Sequence, residues 1–267
     1  MKLGIVAGNG DLPLQLISRC IERNIDFHVL PISGQPDIDR FAPYPHDRVR
    51  PGGGGTIRRL LRQHNVTDLV MIGAIRKPNL WQFMPDFFTW RLLPKLLAAW
   101  RGDDSLLSAV VRIIEKYGNV KVRGVHEFMP ELLAGSGVMG AHTPSPEALR
   151  AIDTGIKAAR ELGQADIGQA VIADADNILA HEGRNGTAAM LRDYKGSAVT
   201  AVLVKLCKPQ QELRVDLPTI GCKTVQSAML AGLKGIAVSA GKTLIVDKAA
   251  TIAAADAAGL FLIGVDA

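Results

Sequence analysis

The run Val204-Lys205-Leu206-Cys207-Lys208-Pro209-Gln210-Gln211-Glu212-Leu213-Arg214-Val215-Asp216-Leu217-Pro218-Thr219-Ile220-Gly221 carries the most chemistry per residue in the chain. An apolar strand is expected to deliver Lys205 and Lys208 to one end. Arg214 and Asp216 follow at alternate positions of what reads as an extended stretch, so they are expected to face the same way. Pro218 stiffens the exit, and Gly221 precedes a helix. Cations beside a lone carboxylate suit hydrolysis of a diphosphate. The cations offset charge that develops on phosphoryl oxygens, and the carboxylate orients water or a metal. A surface salt-bridge cluster would use the same residues. The apolar setting of the turn favours a functional role.

Three other segments could meet phosphate. Gly8-Asn9-Gly10-Asp11 lies at a strand-to-helix turn, where backbone N–H groups and the helix N-terminus attract anions. Pro13 stands where a dinucleotide fingerprint needs its third glycine, so the turn is not that motif. Asp11 would repel a diphosphate and suits a ribose or base instead; a tight turn with no ligand is the alternative. Gly73-Ala74-Ile75-Arg76-Lys77-Pro78 follows a buried-looking strand, and open α/β sheets place ligands at such carboxyl ends. Arg76 and Lys77 suit phosphate there, or simply solvent. Gly52–Gly55 precedes Thr56, Arg58 and Arg59 without the lysine of a P-loop, and reads as a surface loop.

Other chemistries are poorly supported. The six histidines form no HxH or HExxH pattern, which argues against zinc. No GxSxG motif or catalytic-cysteine signature occurs. A hard Mg²⁺ or Mn²⁺ held by carboxylates and substrate phosphates would leave little spacing signal. Its ligands are therefore not assignable among Asp103, Asp104, Glu127, Asp174, Asp176, Glu182 and Asp216. All three tryptophans, Trp81, Trp90 and Trp100, fall within twenty positions, with Phe83, Phe87 and Phe88 among them. Trp90, Leu93, Leu97 and Trp100 share a helical face that Pro94 is expected to interrupt. This segment suits an acyl-chain groove, a homodimer contact or plain core packing.

The elements that must position these groups read as alternating strands and helices. Strands are expected at Leu3–Ala7, Phe27–Ile32, Asp68–Ile75 and Val120–Val125. Helices are expected after Pro13, at Thr56–His64 and up to Gly118. Met139–Pro146 is the best boundary, followed by a helix burying Leu149, Ile152, Ile156 and Ala159. Further strands are expected at Ala170–Asp174, Ile178–Ala180, Val199–Cys207, Gly235–Val238, Leu244–Val246 and Leu260–Val265. Thr187 is a candidate helix cap. The fold class is α/β in two domains. Residues 1–140 are expected to form a Rossmann-like nucleotide-binding domain with a parallel sheet, and 141–267 a catalytic α/β domain with a mixed sheet. The chain has 267 residues and 48% hydrophobic residues, enough for two modest cores. A net charge of +5 suits an anionic substrate or a membrane surface. No basic run with interleaved aromatics points to nucleic acid. Three unpaired cysteines and an N-terminus that reads as a first strand point to a reducing, cytoplasmic setting. No apolar stretch reaches membrane-spanning length.

Several short motifs, in order along nearly the whole chain, resemble one family: AGNGDLP, GAIRKP, GDD at Gly102–Asp104, VHEFMPELLAG, DIGQAVI at Asp166–Ile172, HEGRNGTAAML, KPQQELRVDLPTIG and GLFLIGVD. The family is the UDP-2,3-diacylglucosamine diphosphatases of the LpxI type. The resemblance implies metal-assisted hydrolysis of UDP-2,3-diacylglucosamine to UMP and 2,3-diacylglucosamine 1-phosphate (lipid X) in lipid A biosynthesis. It implies a Mg²⁺ or Mn²⁺ cofactor and a peripheral position at the inner membrane. It makes Asp216 the catalytic residue and places Gly186 and Thr187 in a substrate-contacting segment. Gln169 joins them within its matching motif. A nucleotide-sugar transferase, or a regulatory protein that binds nucleotide without turnover, would share these phosphate-binding features.

Overall fold

The computed structural model describes residues 1–75, 85–100, 106–196 and 200–267, with backbone alone for 96–100. The chain forms two compact units. The first comprises Met1–Pro130 together with Glu212–Asp216, and the second Glu131–Gln211 together with Leu217–Ala267.

Unit 1 is built on β1 (Lys2–Ala7), α1 (Leu12–Glu22), β2 (Asp26–Pro31), α2 (Gly54–Gln63), β3 (Asp68–Ile72), α3 (Phe87–Trp100), α4 (Leu106–Gly118) and β4 (Lys121–Val122). The four strands are parallel in the order β2-β1-β3-β4. Helical crossovers between parallel strands are what the alternating pattern predicts. The last strand is shorter than the apolar run suggests, because the chain turns into a 3-10 turn at Val125–Glu127. Pro13 sits in the first turn of α1, where its missing N–H costs nothing. The buried stripe of α1 is Pro13, Leu16, Ile17 and Cys20, while Ile21 turns outward at 55% exposure.

The glycine run is not a loose loop, since α2 begins within it at Gly54. A Cβ at Gly54 would meet Thr89 Oγ1 at 2.7 Å, and one at Gly55 would meet Asp86 Oδ2 at 2.8 Å. The close approach lets one carboxylate cap two helices. Asp86 accepts the Thr56 N–H of α2 at 3.1 Å, and the Thr89 N–H and hydroxyl of α3 at 2.8 and 2.9 Å. Burial pushes the Asp86 carboxyl up, but these hydrogen bonds outweigh it and hold the group below its usual range. Asp86→Ala is expected to remove about 2 kcal/mol, roughly 1 per cap. The thermal midpoint should fall by about 5 °C or more at neutral pH. A lowered carboxylate pKa stabilises above the unfolded value, about 3.9, and that stabilisation is lost as pH falls through the lower folded value. The difference in midpoint between wild type and variant should therefore persist down to about pH 4 and close below it. Thermal scans across pH check this; a difference that does not depend on pH would deny Asp86 its capping role.

Helix α3 continues through Pro94 instead of breaking there. The proline lies on an exposed face, and Phe87 and Trp90 are also exposed, at 76% and 62%. Phe88 packs edge-on against Tyr117 and lies under the Arg58 guanidinium. Trp81 and Phe83 lie outside the described residues, as do Arg76, Lys77 and Gly102–Asp104, and so do the side chains of Leu97 and Trp100.

Unit 2 contains β5 (Gly137–Val138), α5 (Pro146–Gln164), β6 (Ala170–Ala173), β7 (Ile178–His181), α6 (Gly186–Asp193), β8 (Val202–Lys205), β9 (Thr219–Ile220), α7 (Cys222–Leu230), β10 (Gly235–Ser239), β11 (Leu244–Ile245), α8 (Lys248–Ala257) and β12 (Phe261–Val265). Its six-stranded sheet runs β5-β12-β10-β8-β6-β7. Strands β12, β10 and β8 are parallel neighbours, whereas β5, β6 and β7 pair antiparallel, so the sheet is mixed. Strands β9 and β11 form a separate parallel pair.

Alternation along the strands assigns side chains to two cores. Val202, Val204, Ala237 and Phe261 meet Ala148, Ala151, Ile152 and Ala159 of α5. Leu203, Ile236, Val238 and Leu262 face the opposite way, toward residues of α6, α7 and α8. Ser145 caps α5 by accepting the Ala148 N–H. The buried stripe of α5 runs through Ala148, Ala151, Ile152, Gly155 and Ala159 and leaves Leu149 46% exposed. Thr187 does not cap α6; Asn185 holds that position without a side-chain bond, and the Thr187 hydroxyl is engaged elsewhere.

Candidate active site

The carboxyl ends of β1 and β3 lie side by side and lock two turns together. Gly8 N–H donates to Ile72 O, Asn9 N–H to Ala74 O, and Ala74 N–H to Asn9 O. A Cβ at Gly8 would strike Ala74 O at 2.7 Å, and one at Gly73 would strike Asn9 O at 2.8 Å. Glycine is required at both positions by this approach alone. The turn just ahead of α1 already holds a carboxylate of its own, since Gly10 N–H donates to Asp37 Oδ2 at 2.8 Å. Asn9 is held by Gln35 Oε1 and Ala74 O, and Asp11 pairs with Arg40 at 2.9 Å. The position attracts negative charge, as a helix N-terminus should, and a substrate phosphate entering it would displace Asp37.

Beneath α2, α3 and α4 lies a cavity of about 540 Å³. Val6 and Met71 line it from the sheet, Ile32 from just beyond β2, and Ile57, Leu92 and Val110 from the helices. Among the described residues, Arg50 and Arg58 are the charged ones on its wall. An apolar chamber with cationic side chains suits an amphiphile that has an anionic head.

In unit 2 the antiparallel registers bring four polar residues together. Ala170 pairs with Lys205 and Val171 with His181, so Gln169, Glu182 and Lys205 lie at one end of the sheet. Glu182, only 7% exposed, accepts the Thr187 hydroxyl at 2.7 Å through Oε1 and the Gln169 N–H at 2.8 Å through Oε2. Lys205, 8% exposed, donates to the Thr187 oxygen at 2.9 Å. One hydroxyl thus links a buried cation to a buried carboxylate. Gln169, Thr187 and Lys205 were separate expectations that the fold assembles into one network, and Glu182 is the member with no spacing signal. Beside α6 lies a cavity of about 620 Å³, lined by His181, Arg184, Asn185, Gly186, Tyr194 and Lys195 among others. Lys208 pairs with Asp166 at 2.7 Å.

Arg214 and Asp216 differ from the extended picture. Val215 N–H and Asp216 N–H both donate to Glu212 O, so the segment is a tight turn. Alternate positions in such a turn do not face one way. Arg214 grips both oxygens of Glu212 at 2.8 Å and reaches Glu115 at 3.1 Å. These hydrogen bonds to carboxylates, Glu212 first, drive the guanidinium pKa up despite partial burial. The Arg214 hydrogen bond is also the largest influence on Glu212 and holds that carboxyl low. Arg214 therefore clamps the turn instead of pairing with Asp216. The Asp216 carboxylate is half-buried and has no hydrogen-bond or ion-pair partner among the described residues.

His28, Asp47 and His64 can hold a metal ion, with donor atoms within 4.8 Å of one another. They form the one such group among the described residues. Two imidazoles and one carboxylate do not suit Mg²⁺, which prefers oxygen ligands, and suit a first-row transition metal better. His28 also precedes the carboxyl end of β2 by three residues, and His64 follows the last turn of α2. The group thus lies away from the turns that follow β1 and β3.

No helix among the described residues is long and apolar enough to cross a membrane. Residues 2–132 match the model of the LpxI N-terminal domain, and residues 135–263 that of the LpxI C-terminal domain. A protein of Caulobacter vibrioides named UDP-2,3-diacylglucosamine pyrophosphatase LpxI is 41% identical over 277 aligned positions, covering 99% of this chain and 98% of that protein. With both halves matched in order and the similarity running end to end, the chain belongs to the LpxI family.

Proposed function

We propose that this protein hydrolyses the diphosphate bond of UDP-2,3-diacylglucosamine, releasing UMP and 2,3-diacylglucosamine 1-phosphate (lipid X) for lipid A biosynthesis. The observation that carries the reading is the end-to-end similarity to a pyrophosphatase of that substrate. The features of the site agree with it. Residues 1–140 take the nucleotide and the lipid, and residues 141–267 supply the chemistry through Asp216, which packs in the first compact unit.

In this reading Asp216 orients the attacking water and accepts one of its protons. The remaining hydroxyl joins the attacked phosphorus, the bridging P–O bond breaks, and the leaving phosphate keeps the bridging oxygen. A carboxylate without a competing partner is free for that role. Lys205, Lys208 and Arg214 supply positive potential, and Gln169, Gly186 and Thr187 contact the substrate. Gly8, Asn9, Gly10, Asp11 and Gly73 line the nucleotide's side, and Arg76 binds its phosphates. Acyl chains occupy the 540 Å³ chamber. Exposed Phe87 and Trp90 give the protein a face for the inner-membrane surface, where a diacylated substrate resides.

Purified protein given the diacylated UDP-sugar and water is expected to release UMP and lipid X in equal amounts. Exhaustive chelation should abolish release, and Mg²⁺ or Mn²⁺ should restore it. UMP release only with a second acceptor would make the protein a transferase, and binding without release would make it a regulator. Full activity after chelation would remove the metal requirement.

A further inference from the structure

We propose that His28, Asp47 and His64 form a binding site for a borderline transition-metal ion of the Zn²⁺ class, one that braces the N-terminal unit and takes no part in the chemistry. The proposal is independent of the hydrolase reading.

Three separate pieces of chain supply the donors. His28 lies within β2. Asp47 lies in a segment held to β2 by three backbone bonds, Val29 N–H to Pro45 O, Asp47 N–H to Val29 O and Val49 N–H to Pro31 O. His64 is the C-cap of α2. The Nε2 atoms of both histidines lie 2.9 Å from the same oxygen, Asp47 Oδ2. Nothing in local sequence brings these groups together, yet the fold aims all three at one point. Imidazole nitrogen with a single carboxylate selects Zn²⁺, Co²⁺ or Ni²⁺ over Mg²⁺. Three protein ligands leave a fourth position for water.

The electrostatics also favour a cation. Asp47 supplies one negative charge, and His64 stands at the negative end of a helix. His28 is buried at 7% exposure, so its donor atom faces Asp47 and not bulk water. Lys2 is the opposing charge nearby. The two rings stack at 3.7 Å between centroids, with their planes 15° apart. Their lone pairs therefore run nearly parallel, and a bound ion must splay the rings to reach about 2.0–2.1 Å from each nitrogen. The site is on the amino-terminal side of the sheet, away from the turns after β1 and β3. Its ion would tie β2, the segment around Asp47 and the end of α2 into one unit.

The test uses tag-free, full-length protein stripped by chelation and then titrated with Zn²⁺ alone. One equivalent of Zn²⁺ should bind at micromolar or lower free concentration and raise the thermal midpoint by several degrees. Co²⁺ should give the visible absorption of a four-coordinate nitrogen–oxygen site, and millimolar Mg²⁺ should give neither effect. His28 is buried, so the informative variants are His64→Gln and Asp47→Asn, both at partly exposed positions. Each should keep a cooperative metal-free transition and lose the Zn²⁺-induced shift. If wild-type protein binds no Zn²⁺, or if both variants bind it as wild type does, the triad is a hydrogen-bonded cluster and the proposal fails.

Discussion

Asp216→Asn is expected to lower kcat by at least about 10²-fold while leaving the protein folded. The substitution keeps the shape of the side chain and removes its charge and its basicity. Stability should change by no more than about 0.5 kcal/mol, because the carboxylate has no partner to lose among the described residues. The turn is held by Arg214 on Glu212 and Glu115, which the substitution leaves untouched. Substrate affinity should stay level or rise, since a negative charge beside a diphosphate is gone. Steady-state kinetics together with a thermal scan separate the possibilities. A kcat near wild type in a folded variant would falsify the catalytic assignment, and a large loss of stability would mean that Asp216 has a structural partner.

Val110→Trp should cost about 10²-fold in kcat/KM for the diacylated substrate. Val110 lines the chamber beneath α2, α3 and α4, and an indole there takes space that an acyl chain would fill. Excluding about four methylenes at ~0.8 kcal/mol each gives roughly 3 kcal/mol, which is about that factor. Lipid X affinity should fall in parallel. UMP carries no acyl chain, so its calorimetric affinity should not move. Equal losses for UMP and lipid X would show that the indole has disturbed the unit as a whole and that the chamber is not an acyl site.

Much of the frame was legible because it depends on neighbours in sequence. The apolar run at Leu3–Ala7, the glycines and Pro13 announce a strand, turn and helix, and β1 and α1 follow. The Asp174–Asn177 turn between two short apolar runs announces the hairpin of β6 and β7. The ordered motifs along the chain identified the family. What escaped notice depends on distant partners. Arg214 is anchored by Glu115, 99 positions earlier, and no local pattern marks that pair. Alternating residues suggested an extended Arg214–Asp216, but the Glu212 carbonyl collects two N–H groups and tightens the chain into a turn. The start of α2 inside the glycine run is set by Asp86, about thirty residues later. His28, Asp47 and His64 are spaced by 19 and 17 positions, outside any metal-binding motif.

The first compact unit is not one continuous stretch of chain, since it draws Glu212–Asp216 from far downstream. A fragment ending at Pro130 would contain Glu115 but neither Arg214, which holds it, nor Asp216. The two halves are thus not interchangeable cassettes. A chimera that joins this N-terminal half to a relative's C-terminal half would receive the relative's version of the five-residue turn. That turn would have to fit a seat from another parent. The junction that matters for such recombination lies at Glu212–Asp216 as much as at Pro130, and substitutions in Glu115 and in the turn are free to drift only in concert.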